Sequence, residues 1–235
     1  MTENSIGIIL ARGGSKRLPR KNIIDFNMKP LIAWTIEAAI KSGKFDKVIV
    51  STDDEEIAQI SRHYNAEVPF LRLEAADDIT PASKATVIAL KQAEKFWGEK
   101  FSIVSQMMAN CPLRTGEDIK TSFNNFISSD ASSQISCFKF GWMMPWWAIR
   151  LNEQGLGEKL FPEMANKRSQ DLPNLYCPSG ALWIAKREKL LEYKNFYMED
   201  TRYYPLPWLS SVDIDEYEDF LMAELCFELQ KKHKT

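Results

Sequence analysis

The chain has 235 residues, 45% of them hydrophobic and 11% aromatic, which is enough to bury a core in one domain or in one domain with an excursion. A net charge of −2 argues against nucleic acid as the main partner, because such binding needs an extended basic surface. The N-terminus lacks a signal-peptide pattern, no apolar run is long enough to span a membrane, and no CxxC pair occurs. We therefore expect a reduced, cytoplasmic protein without membrane contact.

The first element is an apolar run that predicts a buried strand over residues 7–10, followed directly by a basic loop, ARGGSKRLPRKN, at residues 11–22. Gly13 and Gly14 allow this loop to turn sharply and to expose backbone N–H groups. Judged by its charge density alone, the loop could equally be a basic turn exposed to solvent. The preceding strand and the glycine pair favour a polyanion instead, and a nucleotide triphosphate suits the loop best.

Strand and helix signals then alternate. Helices are predicted at 29–41, 54–64, 83–96 and 117–128, strands at 47–51 and 101–106, and a short extended segment at 67–70. Asp53 and Glu56 have the spacing of a capping box for the second helix. The alternation predicts an α/β fold with a doubly wound, mostly parallel sheet. Ligands of such sheets bind beyond the carboxyl ends of the strands, where the basic loop falls.

The pattern changes after residue 132. Strands are predicted at 134–140 and 147–151, joined by a segment rich in tryptophan and methionine at 141–146. That segment is too apolar for an exposed loop, so it either packs in the core or docks on a second subunit. Strands at 180–185 and 211–214 and an amphipathic closing helix at 216–232 complete the prediction.

Two carboxylates stand near the end of the chain. On the predicted strand Asp213 and Asp215 would share one face, where two charges about 6 Å apart repel by about 3 kcal/mol at an effective dielectric constant of 20. A divalent cation would offset this repulsion, and oxygen ligands suit magnesium. Asp215 has an alternative role as the N-cap of the closing helix, with Glu218 completing a capping box.

Five segments together resemble the cytidylyltransferases that activate nine-carbon acid sugars, namely the CMP-sialic acid synthetases and their relatives for pseudaminic and legionaminic acids. The segments are ARGGSKRLPRKN (11–22), VIVSTDD (48–54), CPLR (111–114), RSQDLP (168–173) and VDID (212–215). The resemblance implies a nucleotide-diphospho-sugar transferase-like fold, with a catalytic domain at 1–133 and 177–235 and an inserted dimerisation and sugar-site arm at 134–176. It also implies a homodimer that uses CTP, an acid sugar and Mg²⁺.

The resemblance further implies roles for individual residues. Arg12, Lys21 and Asp213 are expected to be catalytic, and Asp213 and Asp215 to bind the metal ion. The expected nucleotide ligands are Ala11, Arg12, Gly13, Ser15, Lys21, Asn22, Arg72, Thr80 and Ser83. Arg72 would read the cytosine edge, although it could equally pair with Asp77 and Asp78. Lys16, Arg17 and Arg20 receive no firm role, and no side chain is identified as a general base.

The expected sugar ligands are Gln106, Arg168, Gln170, Tyr176 and Ser179. Met108 stands where the family has a sugar-contacting glutamine, and Gln106, two residues earlier, is the expected substitute. Arg168 is expected to pair with the sugar carboxylate, with a surface salt bridge as its alternative. Cys177 and Ser179 stand where sialate enzymes frequently have the arginine and asparagine of an Arg-x-Asn-Gly motif, which argues against N-acetylneuraminate as the substrate.

Other functional classes are less consistent with the sequence. His63 and His233 are not placed for a hydrolase triad, and neither the GxxxxGK nor the GxGxxG pattern occurs. Two alternatives stay open. The chain could be a CMP-Kdo synthetase, or it could be a nucleotide-binding protein of the same fold that has lost turnover.

Overall fold

In the computed structural model, which describes residues 4–74 and 80–232, strands and helices alternate through the first half of the chain. The elements of this half are β1 (Ser5–Leu10), β2 (Asp25–Phe26), β3 (Lys29–Pro30), α1 (Leu31–Lys41), β4 (Lys47–Ser51), α2 (Glu55–His63), α3 (Ala82–Trp97), β5 (Ile103–Met108) and α4 (Gly116–Ile127). The second half contains β6 (Ser133–Lys139), β7 (Ile149–Leu151), β8 (Gly157–Lys159), β9 (Tyr176–Lys186), α5 (Arg187–Tyr193), β10 (Arg202–Pro205) and α6 (Tyr217–Lys232).

Six strands form the central sheet, in the order β10-β6-β9-β5-β1-β4. Strand β1 runs parallel to β4 and β5, and β10 runs parallel to β6. Strand β9 is antiparallel to both of its neighbours. Leu10 lies beside Ser51 on one side and Met108 on the other, so three parallel strands end level with one another. The predicted α/β class with a mostly parallel sheet is confirmed.

Helices cover both faces of the sheet because the side chains of its buried strands alternate between two apolar layers. Ile9 packs in one layer with residues of α1, α2 and α4. Ile8 and Leu10 pack in the other layer, with residues of α3 and α5. A third cluster joins the β2–β3 hairpin to α6 and includes Val212 and Ile214. Within the described ranges, no helix is long and apolar enough to cross a membrane.

Two local predictions are wrong. Asp54, not Asp53, caps α2, since its side chain accepts a hydrogen bond from the Ile57 N–H. Residues 211–214 are not a strand, because a 3₁₀ helix at Leu209–Ser211 precedes them and they pair with no strand. The edge strand of the sheet next to β6 is β10, which was not predicted from the sequence.

The arm is the part of the chain at 140–175 that lies outside the sheet. Residues 134–139, expected at its start, belong to β6 because they hydrogen bond to β9 and β10 in the sheet. Within the arm, β7 and β8 form a hairpin. Trp142 is 84% exposed and Met143 63% exposed, so these two side chains do not pack in the core of their own chain. Trp146 is partly covered, because its ring contacts Phe161 and its Nε1–H donates to a backbone carbonyl at Pro173.

Candidate active site

A cleft of about 500 Å³ lies beyond the carboxyl ends of β1 and β5. Leu10 and Met108, the last residues of these strands, line it together with Ala82 and Ala85 of α3. Four cations of the basic loop line it as well, namely Arg12, Lys16, Arg17 and Lys21. The cleft therefore has an apolar wall and a strongly cationic wall, which suits a ligand with an aromatic base and several phosphates.

Hydrogen bonds to the neighbouring strand hold the basic loop in place. The Ala11 N–H donates to the carbonyl of Ser51, and the Gly13 N–H donates to the Asp53 carboxylate at 2.9 Å. Asn22 is buried, and its Nδ2 donates to the Arg12 carbonyl at 2.9 Å. Asn22 thus fixes the backbone at Arg12 and also lines the cleft.

Arg20 anchors the loop to α2 and does not line the cleft. Its guanidinium pairs with Asp54 and with Glu56. The hydrogen bond from Arg20 is the main reason why the pKa of Asp54 lies below its usual value. The backbone approaches this carboxylate closely, because a Cβ added at Gly13 would lie 2.6 Å from Asp54 Oδ2. Only glycine therefore fits at position 13 without displacing Asp54.

Asp215 faces the basic loop across the cleft. Its carboxylate accepts hydrogen bonds from Lys21 Nζ at 2.7 Å, from Arg17, and from Asn110 Nδ2 at 3.2 Å. Partial burial opposes ionisation, but the hydrogen bonds and charges of Lys21 and Arg17 outweigh it and lower the pKa of Asp215. The aspartate is thus held as an anion by two cations of the basic loop, of which Lys21 is an expected nucleotide ligand.

Asp213 has a different environment. Its carboxylate reaches solvent and makes neither a hydrogen bond nor an ion pair with any residue in the described ranges. Surrounding protein atoms still displace much of its hydration, and this desolvation, together with the charge of Asp215, raises the pKa of Asp213 to about 6. The positive charges of Lys21 and Arg17 offset this rise only in part.

Two hydrogen bonds to Asn110 hold the segment that carries both acids. The Ile214 N–H donates to the Asn110 carbonyl, and Asn110 Nδ2 donates back to the Ile214 carbonyl, both at 3.0 Å. Val212 and Ile214 are buried while the two aspartates are not, so the predicted alternation holds without a strand. The N-cap alternative for Asp215 is wrong, because it is Asp219 that accepts hydrogen bonds from the N–H groups of Asp215 and Glu216.

The donor set fits a magnesium ion that a nucleotide helps to hold. Asp213 and Asp215 supply carboxylate oxygens, and the buried Oδ1 of Asn110 has no hydrogen-bond partner among the described residues. No group of three or more His, Cys, Asp or Glu side chains suited to a metal occurs in that part of the chain. Mg²⁺ usually takes one or two protein carboxylates and completes its shell with water and phosphate oxygens, so Asp213 and Asp215 suit it as protein ligands.

The predicted base-side residues divide into two groups. Arg72 is buried, lines the cleft, and donates from Nε to Ser51 Oγ at 2.8 Å. Thr80 also lines the cleft. Ser83 does not, and its hydroxyl donates instead to Asn195 Oδ1 at 3.1 Å. Asp77 and Asp78, the alternative partners of Arg72, lie outside the described residues.

The predicted sugar residues do not reach the cleft of their own chain. Gln106 is buried and accepts a hydrogen bond from Thr86 Oγ1 at 2.6 Å, while the Ser179 hydroxyl is hydrogen bonded to Ser136. Arg168 is exposed and pairs with Asp171 at 2.7 Å. Gln170 and Tyr176 are exposed on the arm and at the start of β9.

Two cleft residues received no role in the sequence analysis although their positions contained a signal. Asn110 lines the cleft and follows the carboxyl end of β5, the place in a parallel sheet where ligand contacts concentrate. Arg17 contacts both Asp215 and Glu216. The sequence shows that Arg17 belongs to the basic loop. Its partners lie almost 200 residues away, so no local pattern identifies them.

Comparisons with known proteins agree with this geometry. A family model described as cytidylyltransferase matches residues 6–232. The pseudaminic acid cytidylyltransferase of Campylobacter jejuni is 33% identical over 222 residues, which cover 94% of this chain and 95% of that protein. The CMP-N,N'-diacetyllegionaminic acid synthase of Legionella pneumophila is 31% identical and covers 97% of each chain.

A solved structure shares the fold. The CMP:2-keto-3-deoxy-manno-octonic acid synthetase complexed with CTP superposes with a TM-score of 0.70 over 97% of this chain and 99% of that chain, at 16% identity. At this identity the likeness concerns the fold alone. The match of the family model over nearly the whole chain confirms the resemblance drawn from the five sequence segments. This chain belongs to the cytidylyltransferase family, whose members are nucleotidyltransferases.

Proposed function

We propose that the chain joins CTP to a nine-carbon 2-keto acid sugar and releases pyrophosphate and the CMP-sugar. The observation that carries this proposal is the cationic wall of the cleft, formed by Arg12, Lys16, Arg17 and Lys21 at the carboxyl ends of parallel strands. Relatives named for pseudaminic and legionaminic acids support the acid sugar as the second substrate. The cytoplasm, where CTP is made, is the expected site of the reaction.

In this reaction the anomeric hydroxyl of the sugar attacks the α-phosphate in line. Arg12 and Lys21 would stabilise the charge on the equatorial and leaving oxygens, as fixed cations do in phosphoryl-type transfer. Ser15 and Asn22 would contact the triphosphate from the same wall of the cleft. Arg72 and Thr80 would hold the base at the opposite end.

Asp213 and Asp215, with Asn110 beside them, would hold Mg²⁺. When bound, the ion would supply charge neutralisation at the phosphates and lower the pKa of the attacking hydroxyl. Lys21 and Arg17 pair with Asp215 in the protein alone, so a triphosphate would have to take over these two cations. Nucleotide binding would thereby release Asp215 for the metal ion.

The arm would form a homodimer and complete the sugar site. Its exposed Trp142 and Met143 support a subunit contact, since aromatic and methionine side chains are enriched at interfaces. Arg168, Gln170 and Tyr176 lie outside the cleft of their own chain and are exposed. They would therefore serve the acid sugar in a cleft shared between two subunits, with Arg168 leaving Asp171 to pair with the sugar carboxylate.

The test is a substrate panel. The protein is incubated with CTP, Mg²⁺ and one acid sugar at a time, and pyrophosphate release and product mass are measured. We expect CMP-sugar from a pseudaminic- or legionaminic-type acid and none after chelation of the metal. Turnover with Kdo alone would support a CMP-Kdo synthetase. CTP binding without turnover on any sugar would support a non-catalytic protein and contradict the proposal.

A further inference from the structure

The closing helix α6 is apolar on two nearly opposite faces, contrary to the amphipathic helix predicted from the sequence. Phe220, Ala223 and Cys226 are buried against the β2–β3 hairpin and α1. Leu221, Leu225 and Leu229 lie on the other side and are 44%, 70% and 49% exposed. A helix with two apolar faces is typical of a helix that packs against two partners, and residues 4–74 and 80–232 supply only one.

The exposed face is symmetric about its middle residue. Leu221 and Leu229 each lie four residues from Leu225, and Glu218 and Lys232 each lie seven residues from it. At 3.6 residues per turn, all five positions fall on one side of the helix. An acidic residue therefore begins this stripe, a basic residue ends it, and leucines occupy its centre.

We propose that a second copy of the chain packs on this face, with the two α6 helices antiparallel about a two-fold axis at Leu225. Leu221 then contacts Leu229 of the partner subunit, and Glu218 pairs with Lys232 of the partner subunit. A two-fold contact requires a surface that complements itself, and opposite charges at equal distances from the central leucine meet this requirement. A parallel arrangement would instead bring like charges together at both ends.

This contact is separate from the arm. The arm projects from β6 and β9, whereas α6 packs on the β2–β3 hairpin, so the two surfaces can be occupied at once. Two different two-fold contacts on one chain generate a closed tetramer if their axes cross at right angles, and a larger assembly of dimers otherwise. A single helix pair buries less area than a stable interface needs, so we expect the α6 contact to be weak and to strengthen with protein concentration.

The first test is the oligomeric state of the full chain by sedimentation velocity across a wide concentration range. We expect Leu225→Glu to weaken the association by about tenfold or more. Because Leu225 is exposed, the variant should fold, which circular dichroism checks. Ile40→Glu on α1 is the matched control, since Ile40 is 42% exposed and lies off the stripe. An association unchanged by Leu225→Glu overturns the proposal.

A charge exchange gives a second, independent test. Glu218→Lys and Lys232→Glu should each weaken the association, and the double variant should restore it. Both changes oppose the helix dipole, so thermal stability should fall in each single variant and further in the double variant. Recovery of association despite lower stability cannot arise from a purely structural role. Failure of the double variant to recover contradicts the pairing.

Discussion

Asp213 and Asp215 carry the same side chain two positions apart, yet their environments shift their pKa values in opposite directions. Desolvation and the charge of Asp215 raise the pKa of Asp213 to about 6. Partial burial also disfavours the charged form of Asp215, but Lys21 and Arg17 outweigh it and lower the pKa. In the protein alone, one carboxylate therefore costs folding free energy and the other contributes it.

We expect opposite effects on stability from the same substitution at these two positions. An acid whose pKa is raised by folding destabilises the fold above that pKa, so Asp213→Asn should raise the free energy of unfolding at pH 7.5 by about 1 kcal/mol, after allowance for its exposure. The gain should shrink as the pH falls from about 6 toward 3.8, the ordinary pKa of an aspartate. Asp215→Asn should lower stability at neutral pH and lose this effect in acid.

Thermal unfolding in the presence of a chelator, across about pH 2 to 8, measures both effects, because the contribution of Asp215 is lost only as the pH falls through its lowered pKa. Turnover should fall by orders of magnitude in both variants, since each removes an expected metal ligand. A parallel decrease in stability at the two positions would show that the proposed difference in environment is absent.

A second expectation concerns nucleotide binding without metal. Asp215→Asn releases Lys21 and Arg17 from their ion pairs, so CTP in chelator should bind about fivefold more tightly, or about 1 kcal/mol. Glu216→Gln is the control, because within the described residues the Glu216 carboxylate pairs with Arg17 alone, at 3.4 Å and in an exposed position. Calorimetry that finds weaker binding in Asp215→Asn would contradict the proposal that Lys21 and Arg17 pass from Asp215 to the triphosphate.

For single residues, the sequence predicted which residue types lie at the site more reliably than it predicted which residues they contact. Asp53 and Asp54 are both able to cap α2, and the choice between them depends on Gly13, which lies 40 residues earlier and uses Asp53. Asn22 was expected on the nucleotide, and its side chain also holds the Arg12 carbonyl. Contacts over such separations leave no local pattern.

At the scale of elements, the basic loop depends on a close approach between its backbone and the start of α2. A Cβ at Gly13 would lie 2.6 Å from Asp54 Oδ2, whereas a Cβ at Gly14 would meet no atom within 4 Å. Asp54 cannot move freely, because it caps α2 and pairs with Arg20. The two adjacent glycines therefore differ in their tolerance of a side chain.

We expect Gly13→Ala to lower the free energy of unfolding by about 1–2 kcal/mol, as overpacking typically does. Gly14→Ala is the matched control and should be neutral or slightly stabilising, since alanine restricts the unfolded chain. Thermal unfolding without ligand compares them. Equal destabilisation by both substitutions would contradict the contact with Asp54.

Helices and strands with a clear hydrophobic periodicity were predicted well. Strands that depend on hydrogen bonding to a distant segment were not. The strand at 47–51 and the boundaries of the main helices follow directly from apolar spacing. The segment at 211–214 has the alternation of a strand, but its backbone bonds to Asn110 rather than to a strand. Strand β10 is mostly exposed at the sheet edge, so its sequence lacks a buried apolar pattern.

For the whole molecule, the proposed arm contact makes a separate prediction. Trp142→Ser combined with Met143→Ser should abolish the arm dimer, because these are highly exposed apolar side chains of the arm. Light scattering at low protein concentration, where the α6 contact is weak, measures this. Ile127→Ser, 42% exposed at the end of α4, is the control. A dimer that survives the double substitution would contradict the arm contact.

The fold class was predictable because alternating strands and helices leave few arrangements. The antiparallel course of β9 was not, since it depends on how the chain returns from the arm to the sheet. Nor could the exposed leucines of α6 be told from core residues, because the sequence does not say which apolar face the fold will cover.

The ion pair between Lys21 and Asp215 joins residues that are 194 positions apart. A ribosome must therefore add 194 residues after Lys21 before the cationic loop meets its counter-charge. A fragment released early would contain the loop but neither aspartate, and could gather nucleotide without transferring it. Because α6 begins two residues after Asp215, the two acids and the helix beside them are synthesised together, long after the cationic loop.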